Sequence, residues 1–207
     1  MTAVIVMAKA PRPGLAKTRL ASALGEQGAA RLAERFVRET VAVAVAANIG
    51  PVTLCGTPDA PLDAVFTELL QQWPLRWAAQ GEGDLGARMA RALDAALAGH
   101  DSALLIGTDA PALDAAYLRN AQSELTRHDA VLAPTADGGY ALIGLRRMHA
   151  SLFTQMPWSS AAVMATTRER LRALKLHWAE LALLHDVDEP ADLVHVPPPW
   201  LAALASP

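Results

Sequence analysis

Six short stretches of this sequence combine residue types and spacings suited to chemistry on a phosphate-bearing ligand. The first, Ala8-Lys9-Ala10-Pro11-Arg12-Pro13-Gly14-Leu15-Ala16-Lys17-Thr18-Arg19-Leu20, packs four basic side chains, two prolines and a glycine into one connection. Prolines stiffen its path and Gly14 lets the backbone come close to a ligand, while Lys17 offers phosphate oxygens a point charge and Arg19 a planar fork. Ala8, Lys9, Gly14, Lys17 and Arg19 are therefore candidate nucleotide- or phosphate-binding residues; the plainer reading is a solvated cationic loop. Lys17-Thr18 is similar to the end of a P-loop, but Pro11 and Ala16 stand where that motif needs glycine, so an ordinary P-loop cradle is excluded.

The second stretch, Gly81-Glu82-Gly83-Asp84-Leu85-Gly86, satisfies the GxGxxG pattern between a strand-like and a helix-like run. Asp109 lies about where a ribose-binding acid would be sought, but a dinucleotide turn is disfavoured, because the preceding run is weakly apolar and Asp109 sits in Thr-Asp-Ala-Pro, which suggests a different job. Gly83, Asp84 and Arg88 are candidate phosphate contacts, and Asp84 is equally suited to cap the helix. In the third, Gly107-Thr108-Asp109-Ala110-Pro111, a carboxylate follows a strongly apolar run. Mg²⁺ and Mn²⁺ take oxygen ligands and commonly use one or two carboxylates with substrate phosphates, so Asp109 is the leading metal candidate. Asp109 could instead cap a turn, although Asp114 is the better cap for the next helix.

Asp137-Gly138-Gly139-Tyr140 permits a sharp turn or close approach to a ligand, and equally a plain hairpin. Trp158-Ser159-Ser160 offers an aromatic face for a sugar or base and a serine for phosphate, or a helix cap over a core tryptophan. Asp186, Asp188, Glu189 and Asp192 place four acids in seven residues. Either Asp186 or Asp188 could complete a cation site with Asp109 or act as a base; alternatively Asp188 caps a helix start.

These loops need elements to position them. Short apolar runs alternate with longer amphipathic ones, as in βαβ units with a mainly parallel sheet. Strands are predicted at Ala3–Ala8, Val52–Cys55, Leu75–Ala78, Ala103–Gly107, Ala130–Ala133, Tyr140–Leu145 and Trp178–Leu181. Helices are predicted at Gly28–Ala47, Leu62–Gln72, Leu85–Ala98, Ala115–Arg127 and Ala162–Leu174, the first with Leu32, Phe36, Val37, Val41 and Ala44 on one stripe. Val196-Pro197-Pro198-Pro199-Trp200 reads as an extended strap within a Pro-rich tail over 194–207. In open α/β sheets ligands bind beyond the carboxyl ends of the strands, where these loops are expected.

With 52% hydrophobic and 19% charged residues, the 207-residue chain can bury a sizeable core and is expected to form a single domain over 1–207. A net charge of -3 with scattered basic residues argues against a nucleic acid or a membrane as partner and for a small molecule. The lone Cys55 fits a reducing compartment, and Ala3–Ala8 is too short for a membrane span, so a cytoplasmic location is expected.

Taken in order from about residue 3 to residue 193, the six motifs resemble the small family of arsenosugar-biosynthesis-type glycosyltransferases, formerly classed as a domain of unknown function. That resemblance implies a three-layer α/β/α domain with a mainly parallel, mixed sheet of the GT-A, nucleotide-diphospho-sugar transferase type, related to guanylyl and cytidylyl transferases. It implies a divalent cation, Mg or Mn, and a nucleotide-activated donor. By position, Lys17 and Arg19 would hold phosphates, Asp109 and Asp186 the metal, and Asp137, Gly138, Gly139, Tyr140, Trp158 and Ser159 the acceptor or sugar. Lys17, Asp137 and Asp188 would be catalytic. The family's usual Asp-Val-Asp-Thr-Pro-Glu-Asp-Leu reads Asp186-Val187-Asp188-Glu189-Pro190-Ala191-Asp192-Leu193 here, and its Trp-Ser-Thr reads Trp158-Ser159-Ser160. Glycosyl transfer leads; nucleotidyl transfer and a non-catalytic nucleotide-binding module stay open.

Overall fold

Alternating short strands and amphipathic helices assemble as the pattern demands. The computed structural model describes residues 1–57 and 63–204. Strands β1 (Thr2–Ala8), β2 (Val52–Gly56), β3 (Leu75–Ala79), β4 (Ser102–Ile106), β5 (Ala130–Pro134), β6 (Tyr140–Leu145) and β7 (Trp178–Glu180) form one sheet in the order β3-β2-β1-β4-β6-β5-β7. β1 runs parallel to β2 and β4, β2 to β3, and β5 to β7, while β6 is antiparallel to β4 and β5. The C-terminal ends of six strands and the start of β6 therefore share one edge of the sheet.

Helices α1 (Ala21–Ala47), α2 (Ala64–Gln72) and α4 (Ala115–Leu125) cover one face, and α3 (Leu85–Leu97) and α5 (Val163–Ala173) the other. Val4, Val6 and Ala8 of β1 enter the layer shared with Val37, Val41, Phe66 and Leu118; Ala3 and Ile5 enter the layer of Met89, Leu93, Met164 and Leu171. A strand covered on both faces must be apolar at every position, which explains the unbroken run at Ala3–Ala8. Asp63, Asp84 and Asp114 cap α2, α3 and α4 by accepting from the amides of Val65 (3.0 Å), Ala87 (2.8 Å) and Tyr117 (2.7 Å). Among the described residues no helix is long and apolar enough to cross a membrane.

Several expectations need correction. The Val196–Trp200 strap gives way to helix α6 (Pro198–Leu204). The first amides of a helix have no intrahelical acceptor, so prolines in its first turn cost nothing. Trp200 then meets Phe36 of α1 edge-on at 6.0 Å and lies under the Arg35 guanidinium. α1 begins at Ala21, ahead of Gly28, with Gly25 as a non-helical kink. Neither Ser159 nor Ser160 caps α5, whose cap position is Ala162; the Ser160 hydroxyl instead donates to the Pro157 carbonyl at 2.7 Å. The expected start of the second helix at Leu62 lies outside the described residues.

Candidate active site

The loops after β1, β2, β3, β4 and β7, with the β5–β6 connection, surround a cleft of about 600 Å³. It is lined by Ala8, Lys9, Lys17, Arg19, Arg88, Asp109, Asp137, Gly139, Tyr140, Trp158, Ser159, Asp186 and Asp188 from among the residues singled out in the sequence. Gly14, Gly83, Asp84 and Gly138 stand outside the lining, where each shapes a turn or caps α3. Arg12 is diverted as well, its Nε donating to the Asp63 carboxylate at 2.8 Å.

Lys17 occupies the centre of the charged end, with a left-handed backbone (φ 50). Its Nζ lies 2.6 Å from Asp109 Oδ1 and donates to the Val187 carbonyl at 2.7 Å and to Asp188 Oδ1 at 2.8 Å. Burial works to lower the ammonium's pKa, but the two carboxylates outweigh it and hold the value above that of an ordinary lysine. The ring of Phe36 lies 5.5 Å away. Lys9 and Arg19 are exposed, Arg19 facing Glu189 at 3.5 Å, and Arg88 spends its Nε on the Gly83 carbonyl.

The acidic segment is held from behind by Val187, fully buried beside Leu20, Leu32 and Phe36. Its amide donates to the Asp109 carbonyl at 2.9 Å, tying the segment to the loop after β4. Successive side chains of an extended chain alternate, so burying Val187 turns both Asp186 and Asp188 to the cleft. Asp188 is not the helix cap. The cap position is Glu189, and Asp192 Oδ2 reaches back to accept from the amides of Asp188 (3.0 Å) and Glu189 (2.7 Å), while the Asp188 carboxylate goes to Lys17. Burial, followed by the negative charge of Asp137, Asp188 and Asp109, pushes Asp186 up to about 6.

In the β5–β6 connection, Asp137 Oδ1 accepts from the Thr135 hydroxyl (2.5 Å) and the Gly139 amide (2.8 Å). Tyr140 and Trp158 meet edge to face at 6.5 Å. Gly86 lets α3 start against them: a Cβ there would strike the Phe153 carbonyl and the Trp158 indole. The Tyr140 hydroxyl and Trp158 Nε1 are buried without a hydrogen-bond partner among the described residues.

Residues 40–160 match the family described as an uncharacterized protein conserved in bacteria, DUF2064. The chain belongs to the DUF2064 family. A protein of Desulfovibrio desulfuricans G20 that bears the provisional name nucleotide-diphospho-sugar transferase is 32% identical over 93% of this chain and 84% of its own, with a TM-score of 0.83. The CTP complex of CMP:2-keto-3-deoxy-manno-octonic acid synthetase matches 99% of this chain and 98% of its own at 11% identity and a TM-score of 0.56. A manganese complex from Mycobacterium tuberculosis H37Rv matches 93% of this chain and 95% of its own at 15% identity and a TM-score of 0.51. No curated protein matches. The fold of this DUF2064 protein is that of the nucleotide-diphospho-sugar transferases.

The DUF2064 match includes Asp109, Asp137, Tyr140 and Trp158 but neither Lys17 nor the Asp186–Asp188 segment, which the tertiary fold brings to them. Among the described residues of this DUF2064 protein, no three His, Cys, Asp or Glu side chains form a ready-made ion cage. Asp109, Asp186 and Asp188 are nevertheless hard oxygen donors lining one cleft, which fits a Mg²⁺ or Mn²⁺ that completes its shell with phosphate and water. Sequence reasoning missed Gln80, a buried cleft residue whose Nε2 donates to the carbonyls of Ala8 (3.0 Å) and Cys55 (3.1 Å) and so joins the ends of β1 and β2. Its signal is faint: a polar residue between the third predicted strand and Gly81.

Proposed function

We propose that this chain is a single-domain, cytoplasmic, divalent-metal-dependent transferase that moves a glycosyl group from a nucleotide sugar to a small acceptor. The observation that carries it is a single cleft that brings cations and carboxylates together with the Asp137 turn and aromatic side chains. The Desulfovibrio relative's name supports the same reading. Membership of the arsenosugar-biosynthesis-type branch is part of this proposal and assigns no arsenic-containing acceptor.

In this reading Lys9, Lys17 and Arg19 face the donor diphosphate and stabilise its charge as the bond from sugar to phosphate breaks. A metal held by Asp109 with Asp186 or Asp188 would supply further charge neutralisation. Asp137, oriented by Thr135 and Gly139, holds the acceptor hydroxyl and takes its proton as the new glycosidic bond forms. Trp158 and Tyr140 offer the sugar or acceptor an aromatic wall.

The test is thermal unfolding with a panel of nucleoside triphosphates and nucleotide sugars, with and without Mn²⁺ or Mg²⁺, for wild type and Asp109→Ala. A ligand at one hundred times its Kd should stabilise the wild type by about 2.7 kcal/mol. That gain should need the metal and vanish in the variant. No shift with any nucleotide would sink the proposal. For the nucleotide that binds, release of nucleoside diphosphate supports glycosyl transfer, release of pyrophosphate replaces it with nucleotidyl transfer, and no product from any donor leaves a binding module.

A further inference from the structure

An ammonium has three N–H bonds, and Lys17 spends all three inside the protein, on Asp109 Oδ1, the Val187 carbonyl and Asp188 Oδ1. The Lys17 side chain is 8% exposed, whereas those of Asp109 and Asp188 are 46% and 45% exposed. The cation is enclosed, and its partners stand open to the cleft. The same three groups thus have two claims on them. A divalent cation needs the oxygens that Lys17 holds, and a diphosphate needs the ammonium that those oxygens hold.

We infer that Lys17 is an exchangeable counter-ion for Asp109 and Asp188, so that a divalent cation and a diphosphate enter the cleft cooperatively while the cation alone is resisted. The inference rests on the transferase reading above. A cation arriving without phosphate must displace a positive charge that then has no partner. Arriving with phosphate, it takes the carboxylates while Lys17 turns to the phosphate oxygens, and every charge keeps an opposite. Linkage requires the benefit to be reciprocal: phosphate strengthens metal binding by the factor by which metal strengthens phosphate binding. Lys17 is suited to this as a long single-point cation, since a planar guanidinium would have to break a fixed fork to move.

The experiment is calorimetric titration of Mn²⁺ into wild type and Lys17→Met, without and with inorganic pyrophosphate. Methionine keeps the apolar stem beside Phe36, and the released carboxylates are open enough to hydrate, so circular dichroism should match the wild type. Lys17→Met should bind Mn²⁺ alone about tenfold more tightly than wild type, and the gain in Mn²⁺ affinity given by pyrophosphate should be about tenfold smaller in the variant. Equal affinities for Mn²⁺ alone, with pyrophosphate still binding, would overturn the exchange and leave the transferase reading standing. If neither protein binds pyrophosphate or any nucleotide with Mn²⁺, the transferase reading fails and takes the coupling with it.

A second measurement needs no variant. Acetylation of Lys17 in the wild type, followed by mass spectrometry, should be slow without ligand, rise at saturating Mn²⁺, and fall again when pyrophosphate is added. A Lys17 that stays protected at saturating Mn²⁺ overturns the proposal.

Discussion

Gly138 joins a cleft carboxylate to the start of α5. Its φ is 90, its carbonyl accepts from the Met164 amide at 2.8 Å, and a Cβ there would collide with the Ala161 backbone. Gly138→Ala should therefore destabilise the protein by about 1–3 kcal/mol through backbone strain and close contact. It should also weaken acceptor binding more than nucleotide binding, because Asp137 precedes it. Denaturant unfolding and separate Kd values check both statements, and a neutral substitution would show that the turn relaxes freely. Local chemistry of this kind is legible in a sequence. Asp84 and Asp114 each cap a helix through an amide three residues ahead, well inside any window. Arg12 is the opposite case: its partner Asp63 is 51 residues away, so the sequence offers a basic residue in a phosphate-like loop and no sign that it is already engaged. Reading Asp188 as the cap failed for a related reason, since its carboxylate is engaged by Lys17, 171 residues away, and the cap position falls to Glu189.

At the scale of elements, period decides. The buried strands and the Leu32–Ala44 stripe of α1 are predictable because burying one stripe or both sheet faces demands that residue pattern. α6 lacks such a signal. Three prolines favour an extended reading, and what forms the helix is its landing on α1, with Trp200 against Phe36 and Arg31 Nη2 donating to the Leu204 carbonyl at 2.7 Å. Phe36 also lies beneath Lys17, so α6 braces the back of the charged end. Trp200→Ala should cost about 1–3 kcal/mol, less than the roughly 3–5 kcal/mol lost from a fully enclosed aromatic site. A lower thermal midpoint without loss of the α3 and α5 packing is the expected result; an unchanged midpoint would show that the helix contributes nothing.

For the molecule as a whole, the two core layers are built from apolar side chains that hold the sheet and helices together without any ion, and Asp109 and Asp188 of the cleft have Lys17 as an internal counter-charge. Chelation with EDTA should accordingly leave far-UV circular dichroism and cooperative unfolding intact while abolishing metal-dependent nucleotide binding. Collapse of the fold on chelation would show a structural ion instead. The sequence by itself determined the α/β class, the approximate span of nearly every element and the six polar stretches, because hydrophobic period, strand-end loops and cap spacing act over a few residues to a few turns. Only the tertiary structure decided that Arg12 leaves the site, that Gln80 enters it, that a buried Val187 turns two aspartates inward, and that Lys17 stands between Asp109 and Asp188. Each of those is a contact between distant segments, chosen by how the sheet aligns its strand ends and by which charges remain unpaired once it has.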